Sequence, residues 1–182
     1  MKIVKKKMGA TMKKYKLIIF IMVSVVVFGL LGMSSSAFAD DDDLSRGTLK
    51  GLNGILVGEI FIDEDAKHMG LDEKQTQSDV ELKIRLAGIK VLTKEEFSKE
   101  KGFPMLLIQI STYKHLQDSL IYSISVQFCQ GLYLMRNPNI KSFAGTWSVS
   151  RFGNGKIKDI RASLKDSLDI FINSYLSVNP KK

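Results

Sequence analysis

The chain has 182 residues, a formal net charge of +8 and a single cysteine. Seven of the 27 lysines and arginines precede Leu17, whereas all 19 acidic residues lie at or after Asp40, so residues 40–182 carry 20 basic groups against those 19. That near-balance removes the main support for a nucleic-acid function, and one cysteine excludes an internal disulfide framework.

Residues 1–16 hold Lys2, Lys5, Lys6, Lys7, Lys13, Lys14 and Lys16 with no acid among them. An uncharged run from Leu17 to Met33 follows, then SSSAFA, which ends in the small-x-small pattern Ala37-Phe38-Ala39. Positive, apolar, then A-x-A is the layout of a secretory signal peptide, with the cut expected between Ala39 and Asp40. Met12 offers a second start immediately before the same run. The rival reading is an uncleaved anchor. At about 1.5 Å per residue the run spans roughly 26 Å, short of the roughly 30 Å of a hydrocarbon core, and Gly29 and Gly32 weaken it as a helix. Cleavage and export are therefore the expectation, to the periplasm first, with secretion or anchoring through Leu17–Met33 as alternatives. The domain plan is a signal at 1–39, a flexible acidic leader at 40–48 containing Asp40–Asp43, one domain at 49–178 and a tail at 179–182.

Past the leader, LKGLNGILVGEIFID predicts a strand from about Ile55 to Ile62, with Gly51, Gly54 and Gly58 marking a bend or a close backbone approach. A polar DEDAKHMG loop follows. Ser78 and Glu81 have capping-box spacing, and Val80, Ile84 and Ala87 recur at helical intervals, so a helix is predicted there, stopped by Gly88. Asp79–Lys83 and Glu81–Arg85 are spaced as i,i+4 ion pairs. IKVL reads as a returning strand, and Thr93 with Glu96 caps a short helical turn. Three strands are then predicted: MLLIQISTY, LIYSISVQFCQGLYLM and SFAGTWSVSRF, joined by turns at KHLQDS and RNPN. Cys129 lies in the alternating pattern and reads as a packed thiol. Gly153-Asn154-Gly155 breaks the chain before a long amphipathic helix whose apolar stripe holds Ile157, Ile160, Leu164, Leu168, Phe171, Ile172 and Tyr175. The predicted fold is α+β: β-α-β, a three-stranded antiparallel meander and a C-terminal helix, with the helices packed on one sheet face.

Little in this pattern supports chemistry. His68 and His115 fall in polar loops without a nucleophile motif. Asp63, Glu64, Asp65 and His68 cluster, but their spacing misses the calcium-loop pattern. The glycines at 153–155 lack the Lys-Ser/Thr of a phosphate-binding loop. No catalytic residue, metal ligand or cofactor is expected, and the chain reads as non-enzymatic. Tyr113, Tyr122, Phe128, Tyr133, Phe143 and Trp147 come from neighbouring strands, and their parity puts most of them in the core. The other face then presents Ser123, Ser125, Gln127, Ser148 and Ser150. The candidate binding surface is Ser123, Ser125 and Gln127 with Tyr122, Tyr133 and Trp147. The alternative is a small-ligand pocket or active site lined by Tyr122, Tyr133 and Trp147.

The helix Asp79-Val80-Glu81-Leu82-Lys83-Ile84-Arg85-Leu86-Ala87-Gly88-Ile89 with Val91-Leu92, and the terminal Phe171-Ile172-Asn173-Ser174-Tyr175-Leu176, resemble small exported bacterial domains of uncharacterised families. More distantly they resemble the α/β module in the N-terminal domain of the Tol translocation protein and in the curli-secretion channel lipoprotein. The resemblance implies work by protein–protein contact, and it carries no site residues. The expected partner is an envelope protein, with no nucleic acid and with membrane contact only through a retained Leu17–Met33.

Overall fold

The structure, a computed structural model, describes residues 38–40, 42–116 and 119–180. The run Leu17–Met33, the start at Met12 and residues 117–118 of the KHLQDS turn lie outside the described residues. The elements are β1 (Phe38–Asp40), α1 (Asp43–Gly47), β2 (Leu56–Ile62), α2 (Glu64–His68), α3 (Glu73–Leu86), α4 (Lys94–Lys99), β3 (Met105–Leu116), β4 (Ser119–Leu134), β5 (Asn137–Gly155) and α5 (Ile157–Val178).

The sheet is mixed. β2 runs parallel to β3, while β3, β4 and β5 pair antiparallel in sequence order. The spatial order is β1-β5-β4-β3-β2, with three-residue β1 on the outer edge of β5. The Ala39–Asp40 bond, the expected cleavage point, lies inside β1 opposite Val149 and Ser148.

Alternation along the strands sends one set of side chains to the helical layer. Ile108 and Ile110 of β3, Ile124, Val126 and Phe128 of β4, and Trp147 and Val149 of β5 are buried in one cluster with Val80 and Ile84 of α3 and the stripe of α5. Phe171 is the aromatic centre: its ring lies 5.2 Å from Trp147 edge-on, 6.3 Å from Phe128 and 6.4 Å from Tyr175. Burial of such rings is the main stabilising term in a domain of this size. Lys83 Nζ meets Asp169 Oδ1 at 2.6 Å and ties α3 to α5 across this layer.

The α+β class, the C-terminal helix and the Thr93–Glu96 capping box agree with the expectation, and Gly88, at φ 82°, ends α3 in the left-handed conformation. Several finer readings are corrected. The cap of α3 lies six residues before Ser78: Asp72 holds that place, its carboxylate accepting from Gln75 N at 2.7 Å, and Ser78 Oγ instead donates to Lys74 O inside the helix. Both positions offer a short polar side chain, and the earlier one lets α3 gain almost two turns. Glu81–Arg85 forms at 2.7 Å, but Asp79 accepts from Gln75 and Lys83 reaches the other helix. IKVL is no strand of the sheet. A single parallel bridge joins Val91 to Ile55, and the parallel neighbour of β2 is β3.

RNPN is only partly a turn. Leu134 pairs with Asn137 around Met135 and Arg136, so β5 begins at the second residue of the motif, three residues earlier than a four-residue turn allows. Gly153-Asn154-Gly155 does not break the chain either, because β4 holds it as strand opposite Leu120, Ile121 and Tyr122. Gly153 leaves room for the Tyr122 ring, which a Cβ there would strike. The leader is also more structured than expected: α1 forms at 43–47, Asp42 accepts from Ser45 N, and Thr48 donates to Thr146 of β5. Within the expected tail, Asn179 Oδ1 accepts from Gly51 N at 2.7 Å and its Nδ2 donates to Leu49 O.

Candidate functional site

With α3 and α5 on one side, the other side of the sheet carries no further layer among the described residues. Register places its side chains in rows. Tyr113, Ile121 and Asn154 form one; Ser111, Ser123 and Phe152 the next; Phe61, Gln109, Ser125 and Ser150 a third; Leu107, Gln127 and Ser148 a fourth. Across β3, β4 and β5 these rows contain no charged residue; Glu59 on β2 and Asp40 on β1, the latter in register with Ser148, stand at the two margins. Phe61, Tyr113, Ile121 and Phe152 are exposed among the hydroxyls and amides. Solvent-facing sheet faces ordinarily carry lysines, glutamates and threonines. Loss of charge with enrichment of aromatics is the composition of an interface core.

Two of its amides make local contacts. Gln109 Nε2 donates to Ser111 Oγ at 3.1 Å along β3, and Gln127 lies over Gly145, where a Cβ would collide with its side chain. Cys129, next to Gln127, is buried and unpaired by any disulfide, and burial pushes its thiol above the ordinary range, so it is a packing residue rather than a nucleophile.

The six residues expected to form a binding surface separate into three places. Ser123, Ser125 and Gln127 share the open face. Trp147 is 1% exposed beside Phe171, and Tyr122 is buried over Gly153; both belong to the covered face and are corrected from binding to core residues. Tyr133 is exposed on the far end of β4, where its ring sits 5.8 Å from Lys141 Nζ. The pocket expected between Tyr122, Tyr133 and Trp147 therefore has no walls, because two of its three aromatics fill the core and the third is elsewhere.

Other candidates find ordinary roles. Asp63 Oδ2 accepts from Thr112 N at 2.7 Å and joins β2 to β3, while Glu64 pairs with Lys67 at 3.0 Å within α2. That bond holds the Glu64 carboxyl below its usual range. His68 ends α2, exposed, and His115 lies in β3 rather than in a turn. Among the described residues no three metal-ligating side chains converge, and no helix is long and apolar enough to cross a membrane.

Phe61, Ile121 and Phe152 were not recognisable as surface residues by type, yet strand parity carries the signal. Phe61 alternates with buried Ile60 and Ile62, and Phe152 shares the parity of Ser148 and Ser150. The fold and the face together define, among the described residues, a two-layer α+β domain with one sheet face uncovered. No family model matches the chain, and neither a curated protein nor a solved structure matches it.

Proposed function

We propose that this is an exported, non-enzymatic domain that binds a protein partner of the cell envelope, and that the open face of β3, β4 and β5 is the surface it uses. The observation that carries the reading is the absence of charge at the β3, β4 and β5 positions of four rows of that face, with Phe61, Tyr113, Ile121 and Phe152 standing exposed within it. A flat, uncharged surface studded with aromatics loses little on desolvation and gains from burial. Four strands about 4.8 Å apart, each extending for some eight residues of about 3.4 Å, give the face a footprint of roughly 500 Å², more than half of the roughly 800 Å² per partner of a standard interface. The export signal at 1–39 supports an envelope address.

Ser125, in the middle of the face, is the place to test it. In living cells, a C-terminally tagged chain is cross-linked, purified from the envelope fraction and its companions identified by mass spectrometry. Ser125→Arg puts an unpaired charge into the contact and is expected to abolish partner recovery while leaving the melting temperature unchanged. Undiminished recovery of the same partner would remove this face from the function.

A further inference from the structure

The sheet is not the whole of the β4–β5 hairpin. β3 begins at Met105, opposite Cys129, so beyond that point β4 and β5 have, among the described residues, only each other as strand partners. The segment from Gly131 to Phe143 is thus a two-stranded arm projecting past the body of the domain. Its side chains are unlike those of a solvated hairpin. Met135, at the turn, is 100% exposed, Tyr133 is 61% exposed, and Ile140 and Phe143 are also exposed. Its charges are all of one sign: Arg136 and Lys141 lie in the arm, and no aspartate or glutamate occurs anywhere from Ser119 to Lys158. Tyr133 and Lys141 are a direct cross-strand pair, so the aromatic ring and the cation share one side of the arm, and Gly131 with Phe143 extends that side. At its root the arm leans on the loop of Gly102 and Phe103, both at positive φ, through Gly131 N donating to Gly102 O at 2.6 Å. That contact leaves a hollow of about 400 Å³ lined by Phe103, Tyr133, Lys141 and Phe143.

From these observations we infer that the arm is a lipid-contacting device that seats on an anionic bilayer surface. The grouping of a fully exposed methionine, tyrosine and phenylalanine with lysine and arginine is that of a membrane interface, where aromatic rings sit at headgroup level and cations meet anionic lipid. A protein partner recognised by the two cations would need acidic complement, yet would still leave a protruding, convex turn with Met135 at its tip to be enclosed. A bilayer surface takes up such a projection without a matching cavity. Depth is limited by the backbone. The arm has two outer edges whose N–H and C=O groups need water or headgroups, so its strands stay in the interfacial zone and only side chains reach the acyl region. This contact uses rows of the hairpin beyond the four rows of the open face and does not depend on Leu17–Met33 being retained.

The test must read the arm itself, since the full chain carries an apolar N-terminal run that would partition into lipid on its own. Met135→Cys in the full chain, labelled with an environment-sensitive nitrobenzoxadiazole dye, places the probe at the tip, and buried Cys129 is spared under native conditions. Lys165→Cys on the solvent side of α5 is the control. Phosphatidylcholine vesicles with phosphatidylglycerol should shift the emission at position 135 to the blue and leave that at 165 unmoved. High salt should weaken the shift, and Arg136→Glu with Lys141→Glu should lower the arm's apparent partitioning by at least about tenfold. An unmoved probe at 135 in vesicles overturns the inference, as does an equal shift with phosphatidylcholine alone, since the cations would then have no role. A shift produced by a delipidated envelope extract and not by vesicles would overturn it too and assign the arm to a protein. None of these outcomes bears on partner recovery through Ser125, which fails or succeeds separately.

Discussion

The two faces of one sheet, built from alternate residues of the same strands, have been put to opposite uses. On the covered face Phe128, Trp147 and Val149 interlock with Phe171 and Tyr175, and each side chain has neighbours on all sides. On the open face Phe152 and Tyr113 are no less apolar but stand in solvent beside serines. The lesson is that residue type says little about role here. Parity and the layer above it decide, so an aromatic on one face stabilises the fold and an aromatic of the opposite parity contributes almost nothing to it.

The contrast can be broken most severely at its centre. Phe171→Ala leaves a cavity among Phe128, Trp147 and Tyr175 and is expected to cost about 3–5 kcal/mol in urea unfolding. A loss below about 1 kcal/mol would mean the aromatic cluster is not the core. Gly153→Ala drives a Cβ into the Tyr122 ring, and the forced repacking should cost about 1–3 kcal/mol, read from the same titration. Tyr175 comes next. Its hydroxyl donates to Leu52 O at 3.1 Å, and burial pushes the phenol above its ordinary value of 10.0. Because the folded state holds the proton more tightly than the unfolded one, this contribution is complete below pH 10 and lost as pH rises beyond it. Tyr175→Phe should therefore cost about 1 kcal/mol near neutrality, with the gap from the parent narrowing above pH 10. The smallest effect belongs to the open face: Phe152→Ser should change stability by no more than about 0.5 kcal/mol. A larger loss would show that something covers this face.

How much of this could be read from residues alone follows the range of the interactions. The α5 stripe and the Thr93–Glu96 box depend on groups three or four residues apart, and both were legible. The start of α3 was misplaced because two capping sequences compete within six residues, and packing of Thr76, Val80 and Ile84 favours the longer helix. IKVL has strand composition, yet the position beside β2 is taken by β3, a choice made by the whole sheet. Gly153-Asn154-Gly155 looks like a break until the ring of Tyr122, 31 positions away in the chain, is seen to need the space. The serine side of β4 was legible from alternation; the separation of Tyr133 from Tyr122 and Trp147 was not, since it depends on β4 outrunning β3.

The parallel junction of β2 with β3 has a kinetic meaning. β3, β4 and β5 are joined by short connections and can zip together hairpin by hairpin, whereas β2 reaches its only neighbour across three intervening helices and a register irregularity between Val57 and Ile60. Loop closure over that distance delays its pairing until the hairpins exist to receive it. β2 is therefore expected to join after the three hairpin strands and its amides to exchange with solvent sooner than those of β3 and β4, which would make the edge beneath α3 a seam along which the body of the sheet opens.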